Sequence, residues 1–424
     1  MAMRTDRLGD LGTPADVLRA VAGAAAARRL PPPAALAGVW FGSAAVIAPT
    51  VPVAAIPPAE AFAVEPGRHE HAIGGGWIGY LSYPDAASDA APPRIPEAAG
   101  GWTDSVLRLD PDGCWWHESL SGAPIAAWLA DALSDPPPRD NYEIDWEEPD
   151  FAHHQEGVLA CLAAIGAGEV YQACVCTQFT GTLVGSSLEF FADAVTRTTP
   201  ARAAYLAGDW GAVASLSPEL FLRRAGEDVT SSPIKGTLPL HRPPAELLAS
   251  AKDVAENIMI VDLVRNDLGR VADTGSVTVP ELLKVAAAPG VWHLVSTVTA
   301  KVRPEIPNGA LLAAAFPPAS VTGTPKGRAR QLLSQWEARR RGVYCGTVGM
   351  ASPIAGTELN VAIRTVEFDA RGNAVLGVGG GITADSDPAA EWQECLHKAA
   401  PVVQSPFPGS LRSCPPERER STAS

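Results

Sequence analysis

No long basic run interrupts this 424-residue chain, and acidic side chains outnumber basic ones by 47 to 33, for a formal net charge of −14. Such a field repels polyanions, which argues against nucleic acid or an anionic membrane as the partner. An anionic ligand would need a local basic cluster or a metal ion to hold it. Cysteine is sparse and unpatterned: the seven thiols are odd in number and include no C-x-x-C, so neither a disulfide framework nor a zinc spacing is present. No signal peptide is legible, and free thiols in a cytoplasmic protein are expected. Charge is missing altogether from residues 31–58. Pro49 and Pro52 break that stretch and β-branched residues cluster between them, so it reads as buried strands rather than a membrane-crossing helix.

What is present fits a folded globular chain: 46% of residues are hydrophobic and 19% charged. Thr13 and Pro14 open a helix over 13–29, as N-cap and first-turn proline. Residues 36–120 read as β-rich. The proline- and acid-rich stretch 134–150 reads as a linker between an N-terminal part (1–140) and a second region (150–402). In that region helices are expected over 155–169, 244–271, from about Pro325, and over 388–402. Strands are expected at 170–181, 291–303, 343–350, 360–368 and 374–379. The polar, proline-containing tail, 403–424, is expected to lack fixed structure. Helices and strands interleave without a βαβ rhythm, which points to an α+β fold.

The chemistry begins at "SSPIKGTLPL", residues 231–240, where Lys235 stands in an apolar run. It is either a solvated strand-end lysine or a desolvated amine able to act as a nucleophile. Two carboxylate pairs lie at helical spacing: Asp253 with Glu256, and Glu391 with Glu394, the latter followed by Lys398. They are solvated faces, or, because "NIMIVDLV" follows Glu256, they border a cleft and could hold Mg²⁺. "GVGGGITADSDP" (377–388) reads as a glycine-rich loop, a tight turn or an anion cradle. The start of the helix near Pro325 is a second possible anion site. Arg364 lies in a strand-like run, where a carboxylate of the protein or of a ligand is its natural partner. His293 is either a satisfied core histidine or a catalytic one.

The segments "GEVYQACVCTQF", "SLSPELFL", "PIKGTLP", "AENIMIVDLVRNDLGRV", "HLVST", "SVTGTPK", "GVYCGTVG", "NVAIRT" and "GGGITADSDPAAEWQE" occur in that order. Together they resemble the chorismate-utilising enzymes over about 250 residues, roughly 155 to 402; the N-terminal half matches mainly in "GGGWIGYLSY". The resemblance implies two large β-sheets packed as a sandwich with helices outside, and a cleft in the C-terminal part. It implies Mg²⁺ on Glu256 and Glu394, supported by Asp253 and Glu391. Gln172, Gly236, Thr237, Ser320, Tyr344, Arg364, Gly379, Gly381 and Lys398 would line the substrate site. Glu219 would be the general acid at the C4 hydroxyl, and His293 would assist near the ring.

Two positions separate the branches of that family. Members that add water at C2 carry a lysine where this chain has Gln172. Anthranilate-forming members read P-I-A-G-T, whereas "PIKGT" is similar to the members that form aminodeoxychorismate, in which the lysine is proposed to attack C2 before ammonia enters at C4. The resemblance therefore implies chorismate and ammonia as substrates and Lys235 as covalent nucleophile. Amination that stops at C2, giving anthranilate or its 2-amino precursor, is the alternative; an inactive chorismate-binding relative is a remoter one. No glutamine-hydrolysing motif is legible, so a separate glutamine amidotransferase subunit is the expected partner. The chain departs from the family pattern at "FPPAS" (316–320), where "FPGGS" is usual, and at Glu358, where Asp is usual.

Overall fold

The computed structural model describes residues 3–65, 67, 72–85, 92–134 and 139–404; the expected unstructured tail falls outside them apart from 403 and 404. Two antiparallel sheets, of twelve and ten strands, carry the fold. The larger runs Arg4–Gly9, Trp115–Ser119, Ser105–Leu109, Ser43–Ala48, Ala34–Trp40, Arg202–Gly208, Gly211–Ser217, Thr365–Asp369, Asn373–Ile382, Gln172–Gly185 and Gly323–Thr324, with Tyr142–Glu147 also paired to Gln172–Gly185. The smaller runs Ile234–Pro239, Val291–Lys301, Asp228–Ser232, Leu220–Ala225, Gly356–Asn360, Thr347–Ser352, Gly76–Leu81, Ala98–Thr103 and Ala54–Ala55, with Thr278–Ala288 on Val291–Lys301.

Both sheets draw strands from both ends of the chain: Ala35 pairs with Tyr205, and Tyr80 with Val348. The expected linker is in part a strand, since 142–147 pairs with 180–185. Its acidic side chains point outward from a sheet edge while Ile144 is buried, which explains why composition read it as unstructured.

The alternation of strand side chains explains the charge-free stretch. Ala34, Leu36, Val46, Ala48, Ala204 and Leu206 meet Ile78, Tyr80, Val348 and Met350 of the other sheet. Their neighbours Ala35, Ala37, Ala45, Ile47, Ala203 and Tyr205 face away, under Val17, Leu18, Phe190 and Phe191. The last four belong to the helices Pro14–Ala27 and Ser187–Thr198. Both faces of these strands are covered, and neither tolerates charge. No helix among the described residues is long and apolar enough to cross a membrane. All six described cysteines are free and buried.

Several helix signals operate as the sequence suggests. Thr13 caps its helix through the Asp16 N–H at 3.2 Å, and Asp387 caps Pro388–Val403 through the Ala390 N–H at 2.9 Å. The helix expected over 244–271 is two, Ala245–Ala249 and Ala251–Leu268, because Ser250 leaves helical geometry and caps the second with its hydroxyl on the Asp253 N–H. Leu36 is fully buried between the sheets. Leu36→Ala should therefore cost about 2–5 kcal/mol, read as a lower urea midpoint with unchanged slope.

Candidate active site

The site forms where the chain passes between the sheets. Ser217 ends a strand of the larger sheet and Leu220 begins one of the smaller, so Glu219 lies in the crossing. The chain returns after Asn360 and re-enters the larger sheet at Thr365, which puts Arg364 in a second crossing, at φ 51°, rather than inside a strand as the sequence suggested. The crossings are tied together: the Val361 N–H donates to the Glu219 carbonyl and the Leu216 N–H to the Arg364 carbonyl, both at 3.0 Å. A third segment joins them, with the Cys345 N–H donating to the Ala362 carbonyl at 2.8 Å beside Tyr344.

Lys235 and Gly236 bulge out of register where Ile234–Pro239 pairs with Val291–Lys301, between the pairs Ile234–Val295 and Thr237–His293. Gly236 takes φ 83°, and a Cβ there would stand 3.1 Å from the Asp253 Cβ. The bulge aims the Lys235 Nζ at the Glu256 carboxylate, 3.7 Å away. The lysine side chain is 13% exposed, and its nitrogen faces a carboxylate. Glu256 is fixed by its neighbour: Asn257 donates to the Leu294 carbonyl at 3.1 Å and accepts from the Ser296 hydroxyl at 2.5 Å, pinning the helix to that strand. Burial pushes the Glu256 carboxyl up, against the pull of Lys235 and Lys252.

The expected glycine loop is strand. Gly377 to Gly381 pair in register with Gln178 to Cys174, and a Cβ at Gly381 would collide with the Gln172 amide and come within 3.1 Å of the Lys235 Nζ and 3.3 Å of Glu256. The glycines keep this strand bare where functional side chains converge. A Cβ at Gly377 would strike the Tyr344 ring, and the Gly379 carbonyl accepts from the Lys398 Nζ at 2.8 Å. Lys398 also pairs with Glu394 at 2.6 Å, and both side chains remain about half exposed. Burial pushes the Glu394 carboxyl up, but Lys398 outweighs it and holds it below the usual range. Glu391 is buried; its Oε1 accepts from the Lys252 Nζ at 2.8 Å and the Ser386 hydroxyl at 2.6 Å, while its Oε2 has no partner.

Glu219 is buried beside Ser320. Burial raises its pKa to about 7, with Ser320, Lys235 and the Ile234 N–H pulling the other way. His293 is buried and shares a 3.0 Å hydrogen bond between its Nδ1 and the Thr237 hydroxyl. Burial, then the charge of Arg364, lowers its pKa to about 4, so it is neutral near pH 7. Arg364 is half-buried and its pKa is lowered by burial alone; no carboxylate among the described residues pairs with it. A ligand carboxylate is the partner left open to it.

Glu219, Lys235, Glu256, Gln172, Gly381 and Ser320 thus converge, with His293, Thr237 and Arg364 along one side and Glu391, Glu394 and Lys398 along another. Tyr344 packs against the glycine strand, its hydroxyl 4.0 Å from the Cys176 sulfur. The carboxylates fit a hard cation: Glu256 and Glu394 act on one another electrostatically, and Glu391 leaves a buried oxygen unpartnered. No group of three or more His, Cys, Asp or Glu among the described residues forms a ready metal cage, but Mg²⁺ ordinarily uses one or two carboxylates and completes its shell with water and substrate oxygens.

Two groups escaped the sequence reading. Lys252, four residues before Glu256, bridges the two carboxylate-bearing helices; that spacing was the available signal. Arg341, fully buried, donates to the carbonyls of Cys174 and Val321 and pairs with Glu337, locking the floor of the site; nothing local in an arginine-rich stretch marks it. Of the departures from pattern, Glu358 pairs with Arg202 and Arg223 on the sheet, and Pro318 precedes the turn Ala319–Val321 that presents Ser320. The helix Lys326–Trp336 does start after Pro325, but Lys326 turns back to Asp267 and to the carbonyls of Ala315 and Pro317.

Fold and site together define a chorismate binding enzyme: the chain belongs to that family, whose sequence model matches residues 50–404. Its relatives include aminodeoxychorismate synthase component 1 of Klebsiella aerogenes, 42% identical over 248 residues, which cover 57% of this chain and 55% of that protein. Aminodeoxychorismate synthase of Streptomyces griseus is 37% identical over 374 residues, 80% of this chain and 51% of that protein. The chain thus spans little more than half the length of these relatives. Anthranilate synthase component I from Streptococcus pneumoniae superposes with a TM-score of 0.71 at 25% identity, over 82% of this chain and 86% of that one.

Followed by difference infrared spectroscopy against Glu219→Gln, the Glu219 carboxyl should titrate at about pH 7, with His293 giving no step near pH 6.5. A carboxyl signal that titrates at the ordinary carboxylate value would show that burial does not hold Glu219 protonated.

Proposed function

We propose that this chain converts chorismate and ammonia to 4-amino-4-deoxychorismate. The observation that carries the reading is Lys235, held by its bulge in a site shared with the raised carboxyl of Glu219 and lined by Arg364, with which no carboxylate among the described residues pairs. The names of the relatives support the same branch of the family.

Arg364 is suited to one substrate carboxylate, with Tyr344 and the backbone of Gly379 and Gly381 shaping the surrounding wall. Glu256 and Glu394 would hold Mg²⁺, with Asp253 and Glu391 supporting them. Bound there, the ion would supply positive charge for the substrate's ring carboxylate. The Lys235 nitrogen bonds to C2 through its lone pair, the ring double bonds shift, and the C4–O bond breaks. Glu219 gives its proton to the departing oxygen, which leaves as water. Ammonia bonds to C4, the double bonds shift back, the C2–Nζ bond breaks, and Glu219 regains a proton from the new ammonium. Gln172, an amide rather than a base, does not activate water for the same position. His293, neutral and fixed by Thr237, orients the ring side of the pocket.

Purified protein given chorismate, Mg²⁺ and an ammonium salt should yield the 4-amino product, identified by mass and absorbance. A 2-amino product or anthranilate would establish the alternative, and no product the inactive one. Lys235→Ala should lower kcat by roughly 100-fold or more, the scale of positioned catalytic groups, or redirect ammonia to C2. A rise in KM alone would make Lys235 a carboxylate clamp and end the covalent route.

The ammonia source follows from the same reading. A separate glutamine amidotransferase subunit supplies it, in keeping with relatives named as component 1. The chain alone should use ammonium salts and not glutamine, and adding such a subunit should confer glutamine-dependent turnover; turnover of glutamine by the single purified chain would be the contrary result.

A further inference from the structure

Three lysines face three of the glutamates of the cleft, one each. Lys235 stands 3.7 Å from Glu256, Lys398 2.6 Å from Glu394 and Lys252 2.8 Å from Glu391. The first two have work in the proposed chemistry. Lys252 touches none of the groups assigned to substrate or to proton transfer. Among the described residues it is also the one lysine that ties the two helices carrying the proposed metal ligands directly, running from the first turn of Ala251–Leu268 to the first turn of Pro388–Val403.

We propose that Lys252 is a built-in counter-ion for the metal-free cleft, occupying the carboxylates that a divalent cation would otherwise neutralise, and that binding of the cation expels its ammonium to solvent. The proposal rests on the metal part of the function above and deepens it. Three observations support it. Lys252 reaches past its own helix to Glu391, whose second oxygen is buried without any partner, an arrangement that one ammonium leaves half satisfied. Ser386 also donates to the Glu391 oxygen that Lys252 holds, so that carboxylate stays oriented when the lysine leaves. Finally, its side chain is 37% exposed at a helix start, leaving a short way out to water. Two cations competing for one set of carboxylates cannot both be held at full strength, because Coulomb repulsion between them grows as the site dries.

The test measures Mg²⁺ binding by calorimetry with no chorismate present, so it does not depend on turnover. Lys252→Met should bind Mg²⁺ more tightly by at least about tenfold, a lower bound because the ammonium of the natural chain moves off into water as the ion enters. Its metal-free melting temperature should fall, and saturating Mg²⁺ should restore it; Lys252→Arg, which keeps the charge, should bind Mg²⁺ as the natural chain does. Weaker or equal Mg²⁺ affinity in Lys252→Met, or an Arg variant that matches the Met variant, overturns the proposal. Should Lys252→Met fail to fold, the natural chain gives the answer. Acetylation of Lys252 by an amine-reactive reagent, followed by mass spectrometry, should speed up when Mg²⁺ is added, and an unchanged or slower rate overturns it. If the natural chain and every variant bind no Mg²⁺, the counter-ion role and the metal assignment fall together, while the amination reaction is judged separately by its product.

Discussion

Everything in the cleft depends on two strand crossings that hold each other in place. The chain leaves the larger sheet at Ser217 and returns to it at Thr365, and the backbone bonds Val361 to Glu219 and Leu216 to Arg364 run between the two passages. Crossings of this kind expose backbone groups that neither sheet can pair, and here each passage satisfies the other. The acid and the guanidinium are therefore placed by main-chain bonds rather than by loops free to drift. Displacing one passage would move Glu219, Arg364 and, through Cys345, Tyr344 together.

The second organising fact is local charge set against the global field. A protein of net charge −14 still gathers Lys235, Lys252, Lys398 and Arg364 around one cleft. The same burial has opposite consequences for neighbours: it raises Glu219 toward 7, where it can give up a proton, and lowers His293 to about 4, where it stays neutral. Glu394, at the rim and paired with Lys398, stays ionised. One dry pocket thus contains an acid, a neutral imidazole and a carboxylate, with the partners deciding which is which.

Much of this was legible in the sequence, because local signals coincided with the structure that uses them. Thr13 and Asp387 cap where they should, the charge-free residues 34–48 are strands covered on both faces, and the ordered motifs from 155 to 402 carry the site. What was misread depended on partners distant in sequence. The glycines at 377–381 read as a loop because glycine is a turn residue, yet here they are strand residues bared for Gln172, Lys235 and Glu256. The strand 142–147 looked like linker because acidic residues alternate with its inward-facing Tyr142, Ile144 and Trp146, of which only Ile144 is fully buried. Ser250 split a helix that periodicity alone would have continued, and Arg341 looked like one arginine among several until its carbonyl partners were known.

The buried thiols have a use outside catalysis. Cys174 and Cys176 lie on the strand beside the cleft, Cys161 on the buried face of the helix Phe151–Gly166, Cys395 on the final helix, Cys345 at the crossings and Cys114 at the far side of the larger sheet. Burial raises Cys161, Cys176 and Cys395 well above the ordinary thiol range, and the hydrogen bond with Cys176, then burial, does the same for Cys174, so a folded molecule offers a disulfide reagent almost no thiolate at those positions. Each sulfur becomes reactive only when its own neighbourhood opens. The chain thus carries clocks at separate points of its architecture, and the order in which they run would map which parts of the sandwich loosen together and which alone.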